Sequence, residues 1–149
     1  MNSRENILRL EELFASDKCI VIFPSGLVSR KKSGIVKDLE WRKTFVTKAK
    51  KHNKPIYPVY ISGQNSNRFY KIAKWRSLFG IKINLEMFFL VDEMFKQKGN
   101  TIEITMGKLI KPKFLDNKKN DSEWAQAIKN YIYKIPNNIN LEFIESIKK

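Results

Sequence analysis

Apolar and polar positions along this chain recur with different periods, and the changes of period mark out its elements. Between residues 4 and 15, Ile7, Leu10, Leu13 and Phe14 recur at helical spacing among charged residues, which predicts a helix with one buried stripe. Cys19-Ile20-Val21-Ile22-Phe23 is an unbroken apolar run, the pattern of an interior parallel strand covered on both faces. It stops at Pro24-Ser25-Gly26, and the Ser-, Gly-, Arg- and Lys-rich stretch to about Lys37 reads as a loop. Trp41, Phe45 and Ala49 then recur every four residues on a helix with a basic back that ends near Asn53.

Residues 54–61 read as a second strand in which Pro58 lacks an N–H, so an edge position or a break in the ladder is expected there. Turn chemistry over Ser62 to Asn67 precedes a helix over Arg68 to Phe79, Gly80 interrupts, and another helix covers Glu86 to Lys96. Ile102, Ile104 and Met106 alternate with Glu103 and Thr105, which predicts a strand with one buried face ending at Gly107. The clearest helix follows, with Asn120 and Glu123 placed as a capping pair and Trp124, Ile128, Tyr131, Ile132 and Ile135 on one stripe. After Pro136 a short, loosely held helix is expected. This order predicts an α/β fold, a layered mixed sheet flanked by helices, with ligand chemistry in loops at the carboxyl ends of strands.

Composition narrows the field. The chain has 149 residues, enough for one domain, and 42% of them are hydrophobic, which supplies a core and argues against a disordered basic tail. Its formal net charge of +14 draws in phosphate-rich partners: nucleic acid, an anionic membrane surface or an anionic cofactor. The single cysteine, Cys19, allows no intrachain disulfide and reads as a buried, inert thiol in a reducing compartment. One Cys and one His, His52, leave no zinc site to build, and no metal or cofactor is expected. The polar first six residues do not read as a signal peptide, and no apolar stretch approaches the roughly 20 residues of a spanning helix.

The loop after the apolar run carries the chemistry. In Phe23-Pro24-Ser25-Gly26-Leu27-Val28-Ser29-Arg30-Lys31-Lys32, proline ends a ladder and glycine lets backbone approach a ligand, while Ser29, Arg30, Lys31 and Lys32 bring donors suited to phosphate or carboxylate. On residue types alone an ordinary basic surface loop is the commoner use of such a segment.

The stretch from Ile22 to Arg30 resembles the third block of the glycerolipid and lysophospholipid acyltransferases, Phe-Pro-Glu-Gly-Thr-Arg-Ser. About thirty residues on, Lys54-Pro55-Ile56-Tyr57-Pro58-Val59 resembles their fourth block, and residues 63–70 resemble the hemolysin-like, aminolipid-forming branch. The resemblance covers residues 5–135. It implies residues 1–135 as the C-terminal portion of an acyltransferase domain, an incomplete glycerol-phosphate-acyltransferase-like domain, with a short tail at 136–149. It also implies an acyl-ACP or acyl-CoA donor, a lyso-lipid hydroxyl or amine acceptor, and a cytoplasmic location, peripheral at the inner face of the membrane. Phe23, Pro24, Ser25, Gly26, Ser29, Arg30, Lys31 and Pro58 are the implied substrate-binding residues.

Catalysis in that family rests on a His and, after four intervening residues, an Asp, in a block before the one at Phe23. An imidazole so oriented takes the acceptor's proton. Here His52 lies after Phe23 and Tyr57 stands at the Asp position, so no catalytic residue is assigned. The second block is missing too, and the chain reads as a truncated portion, inactive alone. Ser25, Leu27 and Val28 replace the Glu, Thr and Arg of the third block, with Arg30 two positions beyond the usual guanidinium. That departure points away from glycerol phosphate and toward an amino-acid-based lyso-lipid.

Other readings compete. Ser25 lacks the nucleophile elbow of a serine hydrolase. The aromatics Phe69, Tyr70, Trp75, Phe79, Phe88 and Phe89, interleaved with Lys71, Lys74, Arg76 and Lys82, suit core packing first, a membrane surface second and single-stranded nucleic acid third. A basic nucleic-acid- or membrane-surface-binding module without catalysis is the alternative, although no known nucleic-acid-binding signature appears. An open strand edge at Cys19 predicts self-association.

Overall fold

The computed structural model describes residues 3–148, and the side chains of residues 5–148. Helix α1 (Ser3–Ala15) forms where its periodicity places it, and of its apolar stripe Phe14 is buried. The chain divides into two compact units, the first made of residues 1–26, 40–60 and 105–149 and the second of residues 27–39 and 61–104.

The first unit is built around helix packing. Helix α2 (Thr44–Lys51) buries Phe45, Val46 and Ala49, and helix α5 (Asp121–Ile132) buries Trp124, Ala125, Ile128, Tyr131 and Ile132 against them. Asn120 and Glu123 do form the reciprocal cap, each side chain accepting from the other residue's backbone N–H. Strand β3 (Val59–Ile61) pairs with strand β4 (Ile104–Met106). The expected break at the proline is real. Ladder contact resumes beyond it only as an isolated Ile56–Ile110 bridge, while the Pro58 carbonyl accepts from Gly107 N–H at 2.9 Å.

The second unit contains the hairpin of β1 (Arg30–Lys32) and β2 (Ile35–Lys37), helix α3 (Asn67–Leu78), a 3-10 turn over residues 85–89 and helix α4 (Leu90–Phe95). Ser66 caps α3 by accepting from Phe69 N–H. Its interior is unusual in composition. Phe69, Tyr70 and Ala73 are buried, but so are the carboxylates Glu86 and Glu93.

The fold is mixed α/β, as the alternation predicts, with its strands short and its sheets, among the described residues, two separate pairs in place of one layered sheet. Five local expectations change. Cys19–Phe23 is not a strand: no neighbouring strand is present among the described residues to pair with it, and Val21 and Phe23 are exposed. Cys19 is accordingly exposed, not a buried thiol. The basic stretch after Gly26 is not all loop, because Ser33 (φ 48°) and Gly34 (φ 82°) make a two-residue turn that joins β1 to β2 in antiparallel register. The apolar side of β4 faces outward, with Ile104 and Met106 exposed and Thr105 half-buried, because nothing in the described residues packs over it. Finally, the segment after Pro136 is tightly held: α6 (Phe143–Ile147) buries Phe143 against Trp124 and Tyr131, and Tyr131 donates from its hydroxyl to Leu141 O at 2.8 Å.

Candidate functional site

The candidate substrate-binding residues fall on both units. Phe23, Pro24, Ser25, Gly26 and Pro58 belong to the first, and Ser29, Arg30 and Lys31 to the second.

On the first unit, residues 23–26 close a tight turn in which Gly26 N–H donates to Phe23 O at 3.1 Å. Gly26 has φ 65°, a left-handed conformation in which a side chain is strained. A Cβ there would also lie 3.5 Å from the Arg42 guanidinium carbon, and Arg42 N–H donates to Pro24 O at 3.1 Å. The turn is thus bordered by a cation from the segment leading into α2. Phe23 projects into solvent, 75% exposed. Pro58 is fully buried, and its ring, with Ile135, fills the space that a side chain on Gly107 would need.

On the second unit each donor has an internal acceptor. The Ser29 hydroxyl donates to Asp38 Oδ1 at 2.7 Å and Lys31 Nζ to Asn67 Oδ1 at 2.7 Å. Arg30 donates to Glu86 Oε1 at 2.6 Å and to Val28 O at 2.7 Å. The second oxygen of Glu86 lies 2.8 Å from Arg76 Nε, an ion pair whose angle falls outside hydrogen-bond geometry. One fully buried carboxylate therefore sits between two guanidinium groups and leaves a net positive charge. Each guanidinium faces one oxygen of that carboxylate, which offsets part of the cost of burying the group. Glu93 forms a second polar anchor, accepting from the hydroxyl of Ser66 at 2.7 Å and from its backbone N–H, and from Lys96 Nζ at 2.9 Å. Burial opposes ionisation of Glu93, but the Ser66 and Lys96 donors outweigh it and hold its carboxyl below the usual carboxylate value.

Sequence reasoning missed Arg42 and Glu86. Arg42 left no signal, being one cation among 29. Glu86 left a faint one: it stands in the mostly apolar run Leu85-Glu86-Met87-Phe88-Phe89-Leu90, where a carboxylate turned inward needs a cationic partner.

His52 is at the end of α2, where its Nε2 lies 2.9 Å from Glu11 Oε1 and its ring stacks on Phe14. Lys48 and Lys51 contact the same carboxylate. Desolvation, then the charges of Lys51, Lys48 and Lys54, lowers the imidazole pKa below 6.5. The side chain is anchored to α1 as a structural tie. Among the described residues no group of three or more His, Cys, Asp or Glu is placed to hold a metal ion, and no helix is long and apolar enough to cross a membrane.

The second unit also carries a groove of about 560 Å³ lined by Arg68, Lys71, Ile72, Trp75, Arg76, Phe79, Ile81 and Leu85. Cations and apolar walls share it, and no acidic residue lines it.

Comparison with known proteins gives these features a context. The chain is 42% identical over 133 residues to a lyso-glycine lipid O-acyltransferase of Phocaeicola vulgatus, covering 89% of this chain and 48% of that protein. It is 40% identical over 126 residues to a lyso-glycine lipid O-acyltransferase of Bacteroides thetaiotaomicron, covering 85% of this chain and 46% of that protein. The chain thus spans about half the length of the curated relatives it matches. No solved structure matches it. A model of the acyltransferase family matches residues 2–141, nearly the whole chain, and the chain belongs to that family.

Proposed function

We propose that this chain serves acyl transfer to a lyso-lipid, and that the acceptor carries an amino-acid head in place of glycerol phosphate. The observation that carries the reading is the 42% identity to a protein named as acylating lyso-glycine lipid. The third block agrees with it. Val28 stands where the family pattern has its guanidinium, and the nearby Arg30 directs its donors to Glu86 and Val28 O, which leaves a weak grip for a phosphate dianion in this block.

In the reaction, the acceptor hydroxyl adds to the thioester carbonyl of an acyl carrier protein or coenzyme A donor. The proton leaves to a base, and the thiol departs as the ester forms. This chain lacks a His–Asp pair at the family spacing, and His52 is committed to Glu11 and the lysines around it. We therefore assign it binding and no proton transfer, so that it has no turnover alone. The same reading places it at the cytoplasmic membrane face, where each exposed Lys or Arg contributes about 1 kcal/mol toward an anionic surface. The apolar run at Cys19–Phe23, not a strand but open to solvent, is the surface through which copies self-associate.

Acceptor choice tests the proposal. When this chain replaces the matching portion of the Phocaeicola vulgatus relative, the hybrid is expected to acylate lyso-glycine lipid in preference to lysophosphatidic acid. Lysophosphatidic acid as sole acceptor overturns it. In parallel, sedimentation with vesicles should depend on anionic lipid, with no retention of nucleic acid at matched salt. The reverse pattern would favour a nucleic-acid-binding module.

A further inference from the structure

The groove on the second unit has a division of labour that its surroundings do not explain. Its walls include Trp75 in the last turn of α3 and Phe79 at the helix's C-terminal cap, whose rings meet at 5.9 Å while remaining 61% and 68% exposed. Large apolar rings held together in water are a standing cost that a ligand covering them would remove. Along the same lining run three cations, Arg68, Lys71 and Arg76. Arg76 is fixed from behind by the buried Glu86 and donates from its Nη1 to Ile81 O at 3.0 Å, so its guanidinium is placed before any ligand arrives. Arg68 lies over the Phe89 ring at 5.3 Å. The volume of about 560 Å³ is that of a small-molecule site.

We infer that this groove seats a single acyl chain bearing an acidic head, with the chain along Trp75 and Phe79 and the carboxylate or phosphate at Arg68, Lys71 and Arg76. A neutral chain gains nothing from three cations, and a polyanion without a chain leaves the rings in water. Only an anionic amphiphile uses both. In naming a lipid it rests on the acyl-transfer reading, but it is tested by binding and without turnover. A chain that binds the probe yet supports no transfer contradicts that reading alone.

The probe is N-dodecanoylglycine below its micelle threshold, with its methyl ester as the uncharged control. Trp41 and Trp124 are buried and Trp75 is exposed, so emission reports the groove. A saturable blue shift is expected, with binding of the ester weaker by about tenfold, the factor supplied by one charged hydrogen bond. Trp75→Phe should abolish the shift while heat of binding persists. Substituting Arg76 alone also disturbs Glu86, so the deciding variant is Arg68→Gln with Lys71→Gln, which leaves that buried carboxylate untouched and should weaken the acid but not the ester. Equal affinity for acid and ester, saturable heat without a change at Trp75, or binding to anionic vesicles but not to the monomeric probe would each overturn the assignment.

Discussion

Glu86 is the most fully enclosed carboxylate among the described side chains of the second unit. With no exposed surface, it faces Arg30 and Arg76, whose side chains are themselves mostly covered. Glu86→Gln leaves two guanidinium groups close together without their shared counter-charge, and removal of one partner from a buried ion pair costs about 3 to 5 kcal/mol. Urea unfolding should show that loss, and a change below about 1 kcal/mol would mean that water already screens the pair. His52 gives a prediction of opposite character. Its folded pKa lies below the unfolded value of 6.5, so its contribution is complete above pH 6.5 and is lost as pH falls through the folded pKa. Resonance titration of the His52 ring should give a midpoint under 6.5, and stability should fall as pH drops from 6.5 to that midpoint and change little from this source below it. A midpoint above 6.5 would show that Glu11 outweighs desolvation and the three lysines. Neither arrangement is legible in sequence, because Glu11 is 41 residues from His52 and Glu86 is 56 from Arg30, and only the fold brings them together.

Among the elements, those with a local cause were readable. Helix α5 carries its own cap and its own stripe, and both appear in the structure. Asn120→Ala removes a side-chain acceptor from Glu123 N–H and should cost about 1 kcal/mol in thermal or chemical unfolding. An unchanged midpoint would show that the start of the helix is satisfied by solvent. The β1–β2 hairpin was hidden by its own composition, since Arg30, Lys31 and Lys32 resemble a solvated loop, and its signal was only Ser33-Gly34. Nothing lies within 4 Å of a side chain placed on Gly34, but its φ of 82° is strained for any other residue. Gly34→Ala should therefore destabilise the second unit by about 1 kcal/mol through backbone strain alone, and a neutral result would mean that the turn relaxes. The run at Cys19–Phe23 misled for the opposite reason: its pattern states what a strand there requires, namely cover on both faces, and the described residues do not provide it.

At the scale of the molecule, the second unit buries two carboxylates, Glu86 and Glu93, while leaving aromatics such as Phe88 and Phe95 78% and 68% exposed. Together with a net charge of +14, that distribution suits an interface with acidic, apolar material better than free solution. Val21 and Phe23 add open apolar surface to the first unit. Replacing both by Ser should reduce self-association in sedimentation velocity without shifting the unfolding midpoint, and unchanged association would place the contact elsewhere. The family was legible from two short blocks in the right order, whereas the positions proposed to hold a lipid were not, because they depend on which cations the fold pairs with carboxylates. The most direct test of lipid acyl transfer compares two preparations by mass spectrometry, each given lyso-glycine lipid with acyl carrier protein or coenzyme A thioester. One is this chain alone; the other is the Phocaeicola vulgatus relative with its matching portion replaced by this chain. Acylated product from the hybrid and none from the chain alone is the predicted result. Turnover by the chain alone, or none by a folded hybrid, would contradict it.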